Sequence, residues 1–354
     1  MMGGRIFPEA FQISIDEKHE GAREQASGGA KWGRHTEGCR IGFDLGGSDR
    51  KAAAVVDGEV VFSEEIEWDP YFQSDPDYHF KGSGDSRERG AKHLPRVDAV
   101  GGSAAGVYLE NEVRVASLFR GVSQQNFDQR VRRIFFDVMA HLGWQDRPWR
   151  VINDGEVTAL AGSMAIGESS LLGLSLGTSF AAGYVAPDGA LTRQLNELAF
   201  VPVDHGVRAP VDEWSGDRGG GVQYFSQQAV ARLAQVAGLG FPEEVGFPER
   251  LLEVQRLMKQ GDPRAHSIFQ TIGVYLGYSI AHYAEFYELR HLLILGRVTS
   301  GSGGQLILDG AREVLNHEFP ELSESIQFHI PDEQQKRHGQ AVAAASLPPL
   351  ADSH

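Results

Sequence analysis

One pattern occurs twice in this chain and limits its fold more than any other feature. The segment DLGGS, Asp44 to Ser48, is echoed by SLGTS, Ser175 to Ser179. An Asp-Gly pair follows each copy at the same distance, first at Asp57 and then at Asp188. Because Asp-Gly between two alternating runs is a strong hairpin signal, each copy predicts a meander of three strands. The alternative is two unrelated hairpins in a glycine-rich chain.

The periodicity of the rest of the chain completes an α/β fold. The first meander is predicted over about 40–68, followed by the polar stretch DPYFQSDPDYHFKGSGDSRERGAKH, which we expect to be a loop. Helical spacing is present in 126–144, and a strand ends at Asn153 before another helix. After the second meander come helices at about 222–236, 249–259 and 265–289, the strand HLLIL, a glycine loop, a helix and a last helix with an alanine face. Two meanders, each followed by strand and helix units, indicate duplication.

Composition and charge exclude several classes of protein. The 354 residues suffice for two domains, and 41% of them are hydrophobic, as in globular proteins. The formal net charge of -15 argues against unspecific binding to nucleic acid or to an anionic membrane. A single cysteine, Cys39, excludes an internal disulfide and a cysteine-rich zinc site. With no apolar signal segment in MMGGRIFPEAFQISIDEKHE, we expect a cytoplasmic protein.

The two glycine turns are candidate phosphate sites. Glycine leaves backbone N–H groups accessible, and a neighbouring hydroxyl adds a further donor. The candidate groups are Gly46, Gly47 and Ser48 in the first turn and Gly177, Thr178 and Ser179 in the second. Asp44, just before the first turn, is placed to hold a hydrated Mg²⁺, and Lys51 is a further cofactor-binding candidate. The alternative is that tight hairpins need glycine for their own geometry.

Two further segments are candidates for chemistry. Asp154 follows a strand, where α/β proteins place site residues, and its carboxylate could accept a proton from a hydroxyl that attacks a γ-phosphate. Spacing alone favours the alternative, an N-cap of the next helix. The loop GRVTSGSGG offers four glycines that would let a flat ring such as adenine lie against the backbone: Gly296, Gly301, Gly303 and Gly304. The alternative there is an ordinary loop.

In this order the motifs resemble those of the sugar kinase, heat-shock protein and actin superfamily. The segments FDLGGSDRKAAAVVDG and GLSLGTSFAAGYV are similar to its two phosphate motifs, LLILGRVTSGSGG to its adenosine motif, and GQAVAAASL to its closing helix. Within the superfamily the chain is most similar to the ROK family (repressor, open reading frame, kinase). That family often has Asn-Asp-Ala-Asn-Ala-Ala-Ala-Leu where this chain has NDGEVTAL. The resemblance covers about 41–347.

The resemblance implies a two-lobed actin-like ATPase (ribonuclease H-like) fold of duplicated βββαβαβα halves, with a nucleotide cleft between the lobes. The expected domains are a polar extension over 1–38, a small lobe of 39–153 with 333–354, and a large lobe of 154–332. The implied cofactors are ATP and Mg²⁺, with Asp44 binding Mg²⁺ through water. The implied partner is a sugar-like small molecule, and a homodimer is left open. Asp154 would be the catalytic base, and the substrate-binding residues would be Asn153, Asp154 and Glu197.

Three positions depart from the family pattern. Phe200 stands in place of a sugar- or zinc-contacting histidine, Val222 in place of a glutamate, and Ser117 in place of a sugar-contacting asparagine. The family's zinc cysteines are missing, so no zinc site is expected. Each lost polar contact is worth roughly 1 kcal/mol or more, so we expect a different polyol substrate or a loss of catalysis. The leading hypothesis is an ATP-dependent carbohydrate kinase. The alternatives are a non-catalytic sugar or nucleotide sensor and a simple ATPase.

Overall fold

The computed structural model describes residues 32–192, 194–213, 215–242, 244–330 and 333–350, with only the backbone for 333–338. The predicted extension therefore lies outside the described residues up to position 31. The chain divides into two compact units. One comprises the described residues up to Val157 and those from Gln340 onward, and the other runs from Thr158 to Gly339. The first division falls inside one helix, α3 (Asp154–Ile166).

The first unit is built on a five-stranded sheet with the order β3-β2-β1-β4-β7. Its strands are β1 (Cys39–Leu45), β2 (Asp49–Val56), β3 (Glu59–Glu67), β4 (Ala99–Ala104) and β7 (Trp149–Asn153). Strand β1 pairs in parallel with β4, and β4 with β7, whereas β2 and β3 form the antiparallel meander. Every residue of β1 is buried, as expected for a strand covered on both faces. A separate hairpin joins β5 (Val107–Leu109) to β6 (Glu112–Val115).

Helices α1 (Pro76–Ala91) and α2 (Ile134–His141) and the end of the last helix, α9 (Glu333–Ala345), belong to this unit. The helix predicted over 126–144 is interrupted, because a π-helical turn (Phe127–Val131) precedes α2. A side-chain carbon at Gly42 or Gly101 would overlap the carbonyl oxygens of Ala341 or Ala344. Helix α9 therefore packs directly on β1 and β4, which accounts for glycine in the strands and alanine in the helix.

The polar stretch after Trp68 was predicted as a loop, and that prediction is wrong, because α1 occupies most of it. The Asp75 side chain accepts a hydrogen bond from the Asp77 N–H, and Pro76 occupies the first turn, both favourable at a helix start. The buried face of α1 is polar: the Arg87 guanidinium lies 3.4 Å from the centroid of the Phe43 ring. A buried face without apolar periodicity is invisible to a sequence pattern.

The second unit has a four-stranded sheet with the order β11-β10-β8-β9. Its strands are β8 (Leu171–Leu176), β9 (Phe180–Val185), β10 (His291–Leu295) and β11 (Gln327–His329). Its remaining helices are α4 (Gln227–Val236), α5 (Phe247–Lys259), α6 (Pro263–Tyr283), α7 (Ser302–Glu318) and α8 (Pro320–Ser325). The three helices predicted before β10 are present with shifted ends. No helix in the described part of the chain is long and apolar enough to cross a membrane.

The second meander lacks its predicted third strand in the residues that the structure describes. After β9 only an isolated bridge joins Val185 to Leu191. The first Asp-Gly turn has positive φ at both Asp57 and Gly58, the geometry that suits a two-residue hairpin. In the second, only Gly189 has positive φ, and the turn is wider. The polar residues after Leu191 then offer no alternating apolar face for a strand.

Candidate functional site

Acidic and polar side chains meet at one edge of the first sheet. Asp44 lies near the end of β1, Ser103 near the end of β4, and Asn153 ends β7. Asp44 is directly opposite Ser103 in the parallel register, and Ala104 is opposite Asn153. The carboxyl ends of parallel strands are where open α/β sheets bind ligands. This edge of the first sheet is therefore a candidate ligand-binding site.

Asp44 is a buried carboxylate with two partners. Its Oδ1 accepts a hydrogen bond of 2.6 Å from the Ser103 hydroxyl, and its Oδ2 lies 3.8 Å from Lys51 Nζ. The same ammonium lies 3.0 Å from Asp49 Oδ1. Burial raises the pKa of Asp44 even though Lys51 and Ser103 act in the opposite direction. Lys51 is thus the counter-ion of both Asp44 and Asp49.

Asn153, rather than Asp154, caps helix α3. Its Oδ1 accepts a hydrogen bond of 2.7 Å from the Gly155 N–H, and its Nδ2 donates to the Gly106 carbonyl at 2.8 Å. Asp154 Oδ1 accepts only a longer bond of 3.1 Å from the same N–H. The amide of Asn153 thus orients the start of the helix, and the Asp154 carboxylate keeps most of its acceptor capacity.

The surroundings of Asp154 suit a general base. Burial, and then the nearby negative charge of Asp44, raise the pKa of Asp154 to about 6. Two hydrogen bonds to the backbone act against this shift without cancelling it. At neutral pH the carboxylate is mostly ionised, yet it binds a proton more readily than an ordinary aspartate. Both properties favour proton abstraction from a hydroxyl.

The pair of Asp44 and Asp154 fits a hydrated divalent cation. Their charges repel each other, so a cation between their oxygens and the phosphates would relieve the repulsion. All the donors here are oxygens, which Mg²⁺ prefers. Among the described residues, no group of three or more His, Cys, Asp or Glu side chains is arranged to hold a metal. Mg²⁺ would therefore depend on water and substrate oxygens, as it usually does in phosphate-binding sites.

The first glycine turn presents two backbone donors. The Gly46 N–H closes the turn to the Asp49 carbonyl at 2.9 Å, and Trp68 holds the turn from outside through bonds to the carbonyls of Gly46 and Ser48. The N–H groups of Gly47 and Ser48 donate to no acceptor in the described part of the chain. Two adjacent free N–H groups suit a phosphate oxygen.

Gly47 also has a steric reason to be glycine. A side-chain carbon there would overlap the hydroxyl of Tyr71. The Ser117 side chain is close enough to Tyr71 to affect its pKa, and the Arg120 guanidinium lies 4.0 Å from the centroid of the Tyr71 ring. A tyrosine from the stretch predicted to be a loop therefore touches the first phosphate turn.

The second glycine turn lies in the other unit. Its Gly177 N–H bonds the Ser179 carbonyl at 2.9 Å, while the N–H groups of Thr178 and Ser179 have no acceptor among the described residues. A side-chain carbon at Gly296 would overlap the backbone of Leu176, and its φ is 107°. The glycine loop after β10 therefore packs against the strand end that precedes this turn. Two motifs predicted to bind the same nucleotide are neighbours within this unit.

Most glycines of the loop after β10 are needed by the protein itself. Side-chain carbons at Gly303 and Gly304 would meet the Phe269 ring and the Thr299 carbonyl, so both glycines let α7 begin close to its neighbours. Gly301, with φ of 69°, and Gly303 line a cavity of about 90 Å³ together with Met258 and Lys259. Drug-sized ligands occupy pockets of roughly 300–1,000 Å³, so this cavity takes only the edge of a ring.

Glu197 and the two positions that depart from the family pattern are also neighbours in the second unit. Glu197 precedes a 3₁₀ turn (Leu198–Phe200), and Val222 lies in another (Gly221–Gln223). The Gly221 N–H donates to the Val201 carbonyl at 3.0 Å, which joins the two segments. Phe200 and Val222 pack with the apolar core of the unit. At these two positions the unit therefore has apolar side chains packed in or against its core.

Sequence reasoning missed Ser103, Asp49, Trp68 and Tyr71, which contact the candidate residues of the first unit. Ser103 had a usable signal, because GGSAAG ends a short strand as DLGGS ends the strand that contains Asp44. Tyr71 also had one, since it stands with Phe72 as an aromatic pair in an otherwise polar stretch.

Comparisons with known proteins bear on the fold. Neither a protein-family model nor a curated protein sequence matches the chain. Among solved structures, a ROK hexokinase from Thermus thermophilus has a TM-score of 0.66 and 20% identity over 87% of this chain and 96% of that one. A ROK family glucokinase from Streptomyces griseus, in complex with glucose and AMPPNP, has a TM-score of 0.64 and 21% identity over 87% and 98%.

A ROK family transcriptional regulator, a homologue of the Escherichia coli MLC protein, is similar to nearly the same degree. Its TM-score is 0.63 at 18% identity, over 87% of this chain and 78% of the regulator. The same fold thus occurs in kinases and in a regulator, so fold alone does not decide between the two activities. The chain has the two-lobed, actin-like ATPase fold of the ROK sugar kinases.

Proposed function

We propose that this protein is an ATP-dependent phosphotransferase that acts on a hydroxyl of a sugar or sugar-like substrate. One observation carries the proposal: Asp154, with its pKa raised to about 6, lies beside the buried Asp44 at the carboxyl edge of the first sheet. A structural carboxylate would be expected to have its pKa lowered by a firm partner, as a salt bridge or several hydrogen bonds do. A raised value at a strand end is typical of a working base.

In the proposed reaction, Asp154 accepts the proton of the substrate hydroxyl while the hydroxyl oxygen attacks the γ-phosphorus of ATP. The bond between that phosphorus and the β–γ bridging oxygen breaks, ADP leaves, and Asp154 afterwards returns its proton to water. The free N–H groups of Gly47 and Ser48 bind phosphate oxygens, and those of Thr178 and Ser179 are candidates for the same role in the second unit.

Mg²⁺ would be held through water by Asp44, and when bound it offsets the charge on the phosphates. The Ser103 hydroxyl fixes one oxygen of Asp44, so the carboxylate cannot rotate freely. Lys51 balances the charge of Asp44 before ligands arrive. Asn153 positions Asp154 through the helix start, and Glu197 contributes a substrate contact from the second unit.

A phosphate-transfer screen tests the proposal. The protein is incubated with Mg-ATP and a panel of hexoses, amino sugars and polyols, and ADP formation is followed. We expect at least one acceptor to raise ADP formation about 100-fold over the rate without acceptor, since a base and a positioned hydroxyl together exceed water as acceptor. ADP formation that no acceptor in the panel accelerates would refute it.

A second candidate function is a non-catalytic sensor of a sugar or nucleotide. The apolar packing of Phe200 and Val222 supports it, as does the similarity to a transcriptional regulator. A thermal-shift panel of sugars, with and without Mg-ATP, separates the two functions. A sensor would be stabilised by a sugar and would release no phosphate over several hours with that sugar and ATP.

A further inference from the structure

Tyr71 and Arg120 form a surface that the proposed reaction leaves unexplained. Tyr71 follows β3 in a stretch that also exposes Phe72, whose exposed fraction is 77%. The backbone of this stretch packs against the turn after Ser117, because a side-chain carbon at Gly121 would lie 2.7 Å from the Gln73 carbonyl oxygen. This packing fixes the backbone of the stretch that carries the two aromatic residues.

The Tyr71 hydroxyl lies beside the candidate site residues of the first unit. It is close enough to Gly47 of the first glycine turn that a side-chain carbon there would overlap it. The charge of Asp154 also acts on it, and burial raises the pKa of Tyr71. The phenol therefore stays protonated at neutral pH and can donate a hydrogen bond.

Arg120 places a positive charge over the ring of this tyrosine. Its guanidinium lies 4.0 Å from the centroid of the Tyr71 ring and 5.3 Å from that of Phe72. Among the described residues no carboxylate lies within ion-pair distance of Arg120, and its guanidinium donates no hydrogen bond. Stacking on the rings leaves the edge of the guanidinium, with its N–H groups, open to a ligand.

We propose that Tyr71 and Arg120 form the acceptor subsite, and that the acceptor is a sugar-like molecule carrying a carboxylate or a phosphate. Tyr71 donates a hydrogen bond that positions the acceptor hydroxyl near Asp154, and Arg120 binds the anionic group by its two parallel N–H donors. A guanidinium with no carboxylate partner among the described residues would recognise such a group in preference to a neutral polyol. This proposal rests on the proposed function for the identity of the reacting hydroxyl.

The test compares matched acceptors and matched variants. Glucose is compared with gluconate, glucuronate and glucose 6-phosphate at saturating Mg-ATP, with the carboxylates and the phosphate as separate arms. The variants are Arg120→Gln and Tyr71→Phe, and the control is Arg130→Gln, which removes an exposed arginine that pairs with Asp77 outside the site. Acceptor binding is also measured by calorimetry without ATP, because binding does not require transfer.

We expect an anionic acceptor to be used in preference to glucose. Arg120→Gln should raise KM for it about 10–100-fold, the value of a charged hydrogen bond, and leave KM for ATP unchanged. Tyr71→Phe should lower kcat more than it raises KM, and Arg130→Gln should match wild type. Binding of an anionic sugar that depends on Arg120, without transfer, would support this subsite and count against the kinase.

Two results would overturn the inference while leaving the kinase intact. One is efficient transfer to a neutral sugar that Arg120→Gln does not affect. The other is a rise in KM for ATP rather than for the acceptor in Arg120→Gln, which would assign the guanidinium to the nucleotide phosphates.

Discussion

The two glycine turns have similar sequences but different chemical surroundings. The first turn is flanked by Asp44, Asp49 and Lys51, whose charges interact within 4 Å. The second turn, Ser175 to Ser179, carries hydroxyl groups and no charge. Each turn keeps two N–H groups free among the described residues. The comparison teaches that the two turns share a backbone geometry with free N–H groups, and that charged side chains flank only the first turn in sequence.

The largest expected effect comes from substituting, one at a time, the equivalent residues at the two turns. Asp44 and Ser175 occupy the same place in their copies. Asp44→Asn should lower kcat about 100-fold or more because it removes the charge expected to hold Mg²⁺, whereas Ser175→Ala should change kcat less than about threefold. Steady-state kinetics at saturating acceptor measures both. Equal effects of the two substitutions would remove the distinction between the turns.

A second pair separates steric from functional reasons for glycine. In Gly47→Ala the new methyl group would overlap the Tyr71 hydroxyl, so we expect a loss of stability of about 1–3 kcal/mol. In Gly177→Ala the nearest atom to the methyl group is the Ser179 carbonyl oxygen at 3.7 Å, an ordinary contact. Chemical denaturation should show little change for Gly177→Ala.

Nucleotide binding completes the second test. Gly177→Ala should raise Kd for ATP about tenfold, because the methyl group stands where phosphate oxygens approach. Since we expect the stability of Gly177→Ala to be unchanged, the loss of ATP affinity can be assigned to a direct clash with the bound nucleotide. Unchanged ATP affinity in a stable Gly177→Ala variant would exclude the second turn from phosphate binding.

The pH dependence of the reaction sharpens the comparison, because Asp44 and Lys51 flank the first turn whereas residues 175–179 include no titratable group. The proposed base must be ionised, and burial with the charge of Asp44 raises the pKa of Asp154 to about 6. The value of kcat should therefore fall about tenfold per pH unit below 6 and level off above it. A profile of kcat from pH 4.5 to 8.5 measures this. A flat profile through pH 5 would argue against Asp154 as the base.

We expect the smallest difference, one in stability, between substitutions in the two Asp-Gly turns. Asp57 has positive φ and its Oδ1 accepts a bond of 2.8 Å from the Gly38 N–H, so Asp57→Ala should cost about 1 kcal/mol. Asp188 Oδ1 accepts a bond of 3.1 Å from the nearby Ala190 N–H, a contact within its own turn, and Asp188→Ala should cost less than about 0.5 kcal/mol. Thermal unfolding compares the two variants. A larger loss for Asp188→Ala would contradict this account of the two turns.

Much of the fold could be predicted from local patterns. The glycine turns, the apolar strands and the alanine face of α9 each have a signal within a few residues. Helix α1 could not be predicted, because its buried face carries Arg87 and His79 instead of an apolar stripe. The sequence could not predict that the described part of the second meander lacks a third strand, since the two Asp-Gly pairs are identical in sequence and differ in φ.

The site was predictable where a motif names its residues, and less so where tertiary contacts decide. Asp44, Asp154 and the glycines of the turns are the candidates that the sequence alone names, and their roles stay predictions. That Asn153 rather than Asp154 caps α3 depends on two competing bonds to the Gly155 N–H. The contact between Tyr71 and Gly47 joins segments that no short motif connects.

The most direct measurement compares phosphoryl transfer and stability in wild type and Asp154→Asn. The account predicts that Asp154→Asn binds ATP normally and loses transfer by about 100- to 10,000-fold. Because the pKa of Asp154 is raised in the folded state, its ionised form destabilises the protein above about pH 6 and has no such effect below about pH 4. The variant should thus be more stable than wild type by about 1–3 kcal/mol at neutral pH and equal to it at pH 4. Full turnover by a stable Asp154→Asn would contradict the account.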